Sequence, residues 1–131
     1  MVRSPATKPK AYAGAGTNVR YRPIDLRHLA RQTLGDKGLE QEVLRLFDDT
    51  VRIYFGRVEH STTVEDLIRN LHTLKGAAAG VGANAVAALA GSAEAALREG
   101  RPVDPEQIAD LEVAVTECRA FIAELIEDGD E

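Results

Sequence analysis

The sequence contains a single cysteine, Cys118, too few for an internal disulfide or a cysteine-based zinc site. It lacks any apolar run long enough to span a membrane, and residues 1–23 have none that could serve as the hydrophobic segment of a secretory signal. A cytoplasmic protein with no membrane partner is the expectation. Acidic residues are missing before Asp25, whereas Arg3, Lys8, Lys10, Arg20 and Arg22 all fall there, so the remainder sets 21 acids against 11 bases. So negative a body argues against nucleic acid as the main partner, because phosphate contacts need a basic face. The 131 residues suffice for one domain and leave no room for a nucleotide-binding kinase domain. Residues 1–23, rich in Ala, Gly, Pro and Lys, read as a basic, disordered tail, and residues 24–128 as the domain.

Alternating polarity is also absent over any stretch long enough for a strand, and from Asp25 onward the pattern is helical. A short helix is expected from Asp25 to Leu34, stopped at Gly35. A second, from about Lys37 to Glu59, places Leu39, Val43, Leu46, Phe47, Val51, Tyr54 and Val58 on an apolar stripe. Thr62 with Glu65 has the spacing of a capping box for a third helix, about Thr63 to Gly82, whose seam is Val64, Leu67, Leu71, Leu74, Ala78 and Val81. Asn84 suits the cap of a fourth helix with Val86, Leu89, Ala93 and Leu97 inward and Gly100 as its stop. Asp104 and Pro105 suit the start of a fifth, carrying Ile108, Leu111, Val115, Cys118, Ile122 and Leu125. Four substantial helices joined by short connections predict an all-α fold, an antiparallel four-helix bundle with a short additional N-terminal helix.

Within the third helix His72 stands roughly 100° from Leu71 and about 200° from Leu74, so it points away from the buried seam. Lys75 and Gly76, three and four residues on, share its surface. The lysine can neutralise an added phosphoryl group, and the glycine removes bulk beside it. Glycine inside a helix costs about 1 kcal/mol relative to alanine, yet this segment has Gly76 and Gly80. A small, flat surface around the histidine offsets that cost if a partner must approach closely. Glu65, Ile68, Arg69, Ala79 and Gly80 would complete that surface, with Ile68 as an apolar contact.

The run His72-Thr73-Leu74-Lys75-Gly76-Ala77-Ala78, followed by Val81-Gly82-Ala83, resembles the signature of the histidine-containing phosphotransfer (HPt) domain family in its bacterial single-domain form. The resemblance extends more loosely from about Asp25 to Leu125. Leu71 departs from it, since the family more often has a small residue just before the histidine. The resemblance implies a carrier in a multistep phosphorelay, with His72 as phosphoacceptor, Lys75 as the charge-stabilising residue and Gly76 as the space-making one. It also implies response-regulator receiver domains and a hybrid sensor histidine kinase as partners, a monomer, no cofactor of the protein's own, and Mg2+ supplied by the receiver. Phosphoryl transfer through a loose transition state mostly needs in-line placement and charge compensation, which these residue types can give. The family's phosphorylated nitrogen is Nε2; the residues themselves leave the tautomer open.

Other features read more plainly. His28 and His60 lack such company and are ordinary surface or core residues. Gly80 to Ala85 superficially fits a dinucleotide-binding pattern but has no strand before it. No metal site is expected, because positions 68, 69, 75 and 76, one turn from His72, offer no carboxylate, cysteine or second histidine. Asp48 with Asp49, and Glu127 with Asp128, read as solvated charges. Two competing functions are a bundle that binds a receiver or kinase without carrying phosphate, and a helical enzyme using His72 as an acid-base group. The second lacks a pocket to exclude water.

Overall fold

The computed structural model describes residues 22–129, with side chains to Glu127, and residues 1–21, where most of the basic tail falls, lie outside that range. Five helices occur in it: α1 (Leu26–Thr33), α2 (Lys37–His60), α3 (Val64–Val81), α4 (Asn84–Arg98) and α5 (Pro105–Gly129). No strand occurs among the described residues, and no helix there is long and apolar enough to cross a membrane. α2 packs on α3 and α5, α4 packs on the same two, and α1 lies against α2 and α3.

The helix boundaries follow from caps. Asp25 accepts the amides of Arg27 and His28, Asp36 accepts that of Leu39, and Asp104 accepts that of Glu106 at 3.0 Å, as expected for the last helix. α1 ends one residue earlier than its sequence suggests, with Leu34 itself in the left-handed region at φ 55 ahead of Gly35 at φ 78. The expected Thr62–Glu65 box is replaced by Thr63, whose extended backbone lets its hydroxyl accept from the Asp66 amide at 3.0 Å. Asn84 is likewise already inside α4: Ala83 holds the cap position and contributes no side-chain bond. The α3–α4 corner is instead fixed by Gly82, which takes φ 83 while the Ala83 amide donates back to Ala78 O at 2.8 Å. Gly82 O in turn accepts the Asp25 amide at 2.9 Å, and a β-carbon on Gly82 would stand 3.1 Å from Asp25.

Inside, α2 contributes Leu44, Phe47, Val51, Phe55 and Val58, so the stripe expected from spacing is only partly the buried one. Leu39 and Leu46 are exposed, and Val43 and Tyr54 are half-buried. Apolar residues at three-four spacing form two overlapping stripes on α2, and the one containing Leu44 and Phe55 faces the other helices. In α3, Leu71, Leu74, Ala78 and Val81 are buried as expected, but Val64 is exposed at the helix start. Leu111, Val115, Cys118 and Ile122 of α5 close the core. Burial, with the nearby Glu117 charge adding to it, pushes the Cys118 thiol up to about 12, and its Sγ donates to Pro23 O at 3.4 Å. Ile24 and Leu29 are fully buried in the same core, which ties the start of the domain to the bundle.

Candidate functional site

His72 faces out of α3, as the spacing predicts. The His72 side chain is 61% exposed, whereas Leu71 before it is wholly buried in the core, so the larger residue at that position does not crowd the ring. β-Carbons added at Gly76 or Gly80 would meet nothing within 4 Å, so the surface beside the imidazole is open. Glu65, Arg69, Ala79 and Gly80 are exposed and Ile68 is half-buried, all at spacings that share the His72 side of α3. Arg69 pairs with Asp66 at 2.8 Å, which fixes its direction along the helix. Gly80 O accepts a hydrogen bond from His28 Nε2 at 3.1 Å, and His60 Nδ1 bonds Gly56 O at 2.8 Å, so both of these histidines have structural partners.

The carboxylate that α3 does not place one turn from His72 arrives from α4. Glu94, only 5% exposed, lies 22 residues beyond His72, and its Oε2 accepts from His72 Nδ1 at 3.0 Å. Arg98, one turn farther along α4, donates through Nε to the same oxygen at 2.8 Å, and Lys75 Nζ reaches Oε1 at 2.8 Å. Burial alone would raise the Glu94 pKa, but the bonds from Lys75, Arg98 and His72 outweigh it and lower it from 4.5 to about 2. Glu94 is therefore ionised at neutral pH and has only lone pairs to offer. Nδ1 of His72 must be the donor. In the neutral ring the lone pair then sits on Nε2, and among the described residues nothing engages that nitrogen.

Lys75 reaches Glu94 by crossing Gly91. A β-carbon there would come within 3.2 Å of Lys75 Cδ, so the missing side chain makes room for the lysine stem. Glu94, Arg98 and Gly91 escape a reading of spacing along α3 alone. One signal was available: Glu94 is a charge between Ala90 and Leu97 on the inward side of an alanine-rich helix, where an unpaired carboxylate would be costly. Among the described residues no group of three or more potential ligands could hold a metal ion.

The assembled chemistry is a ring nitrogen with a free lone pair on an exposed side chain, an anion behind the ring and two cations on that anion. Any positive charge that the ring took on through a new bond at Nε2 would face the Glu94 carboxylate, which already stands at Nδ1–H.

Comparisons with known proteins bear on the family and the fold. No match emerged among curated protein sequences. The fold matches the crystal structure of the HPT domain from the Hpt sensor hybrid histidine kinase from Shewanella, with a TM-score of 0.71 at 17% sequence identity, covering 81% of this chain and 95% of that one. Residues 38–128 match the family model of the Hpt domain. The chain thus belongs to the Hpt domain family, whose members carry out histidine phosphotransfer in phosphorelay signalling.

Proposed function

We propose that His72 is the phosphoacceptor of a multistep phosphorelay, exchanging a phosphoryl group with an aspartate on a response-regulator receiver domain. The single observation that carries this reading is the ring's asymmetry: Nδ1 is tied to buried Glu94, while among the described residues nothing engages Nε2 on a side chain 61% exposed. In the forward step the Nε2 lone pair attacks phosphorus, the bond from phosphorus to the aspartyl oxygen breaks, and the carboxylate leaves with that electron pair. The Nδ1 proton stays on the ring against Glu94. Lys75 offsets charge on the transferring group, and Gly76 leaves room for it and for the partner's loops. Glu65, Ile68, Arg69, Ala79 and Gly80 form the surrounding contact surface. The Mg2+ that neutralises the aspartyl phosphate belongs to the receiver.

The carrier is stoichiometric, one phosphoryl group per chain, and its partners are response-regulator receiver domains and a hybrid sensor histidine kinase. The scaffold is read as an antiparallel four-helix bundle capped by α1; the closed ring of contacts from α2 to α3, α4 and α5 and the short connections support that reading. The protein is read as a cytoplasmic monomer.

Incubation with a phosphorylated receiver is expected to give one acid-labile, base-stable phosphoryl mass increment, absent in His72→Gln. If no receiver produces the increment, the protein is a binding module and the proposal fails. Gly76→Leu should leave helix content level or higher, because its side chain would project into open space, while transfer from the receiver falls by about tenfold or more. Unchanged transfer would remove Gly76 from the site.

A further inference from the structure

Glu94 has more positive charge around it than one carboxylate needs. Lys75 and Arg98 both contact it, at 2.8 Å each, and either alone would balance it. The two cations are held differently. Arg98 springs from α4 itself, four residues from Glu94, and engages the oxygen that also accepts from the His72 ring. Lys75 crosses from α3 on a flexible stem laid over Gly91, takes the other oxygen, and has a side chain 39% exposed.

We propose that Arg98 is a positioning residue for phosphotransfer: it keeps Glu94 compensated so that Lys75 can leave the carboxylate and follow the phosphoryl group onto His72. This rests on His72 being the phosphoacceptor and adds the division of labour between the two cations. A phosphoryl group on Nε2 brings between one and two negative charges to the surface that Lys75 borders. Lys75 cannot serve that group and Glu94 at full strength together. A buried carboxylate abandoned by its only cation is strongly destabilised, so without Arg98 the lysine would be pinned where it is. With Arg98 in place its departure leaves an ion pair behind. The partners on Glu94 are then Arg98 and the Nδ1–H that fixes the ring, and the ring keeps its orientation through the step. Gly91 contributes by leaving no β-carbon to trap the lysine stem against α4.

The test uses the full chain and phosphoramidate as a small donor, so that no partner protein enters the rate. In that reaction the donor's P–N bond breaks, ammonia leaves, and the Nε2–P bond forms. Rates are compared for the wild type, Arg98→Gln, Arg98→Lys, Glu94→Gln and the double variant Glu94→Gln/Arg98→Gln. The Lys75 ammonium signal is followed by 15N NMR before and after phosphorylation. Arg98→Gln is expected to slow the wild type by about tenfold, and to change the Glu94→Gln protein by less than roughly twofold, because a neutral side chain needs no cation. Arg98→Lys should restore much of the rate, and the Lys75 signal should move on phosphorylation in the wild type. Arg98 lies on the surface, and thermal melts check that its variants stay folded. Equal slowing in both backgrounds would mean that Arg98 acts on the phosphoryl group directly, and no slowing in the wild type would reduce it to a surface ion pair; either overturns the inference. A wild type that takes no phosphoryl group at all would instead sink the phosphoacceptor reading, and this one with it.

Discussion

Glu94 fixes the tautomer of His72 and would face the charge of a ring phosphorylated as proposed, so it is the residue whose replacement should be most informative. Glu94→Gln keeps a hydrogen-bond acceptor within reach of Nδ1 but removes the anion, and transfer is expected to slow by about tenfold or more, read in single-turnover assays. A rate unchanged from wild type would show that Nδ1 needs only an acceptor. The same variant has a pH signature. Glu94 titrates at about 2 in the folded protein against an ordinary 4.5, so its contribution to stability is complete above the higher value and is lost as pH falls toward the lower one. Denaturation between pH 4.5 and 2 should therefore show a shallower loss of stability in Glu94→Gln than in wild type. Part of the acid sensitivity will remain, since the backbone amide of His28 above all holds the Asp25 carboxyl below its usual range. That His72, Lys75 and Gly76 share one surface was legible because they lie at three and four residue spacings on one helix, where sequence distance converts directly into surface neighbourhood. Glu94, Gly91 and Arg98 were not, because which face of α4 meets α3 is decided by packing.

Among the elements, α3 and its exit turn set the site. Gly82 ends α3 in the left-handed region and brings its backbone against Asp25, so the corner that orients α4, and with it Glu94, depends on a residue without a β-carbon. Gly82→Ala should lower stability by about 1–3 kcal/mol, combining the left-handed strain with the 3.1 Å approach to Asp25, as read from urea midpoints. A neutral substitution would show that the corner relaxes freely. The number, order and approximate ends of the helices could be read from periodicity and stop signals. The caps were less legible: Thr62 and Thr63 are adjacent and chemically alike, and only the backbone turn selects Thr63. On α2, Leu46 and Phe47 are both apolar, and which of them is buried depends on how α3 and α5 are placed, a fact that no local pattern contains.

At the scale of the whole molecule, the packed core reaches beyond the family match. The match begins at residue 38, yet Ile24 and Leu29 are fully buried in the common core and the Asp25 amide is bonded to the α3–α4 corner. A fragment of residues 38–131 should therefore be less stable than the full chain by several kcal/mol, about 2–5 for each large apolar side chain lost from a core. Equal denaturation midpoints would show that α1 is an accessory. The bundle as a whole holds one ring outward against one buried anion, and a direct measurement of that ring is available. After phosphorylation of uniformly 15N-labelled full-length protein, NMR coupling between 31P and the His72 ring is predicted to place phosphorus on Nε2, with Nδ1 still protonated. Phosphorus on Nδ1, or on any residue other than His72, would contradict it.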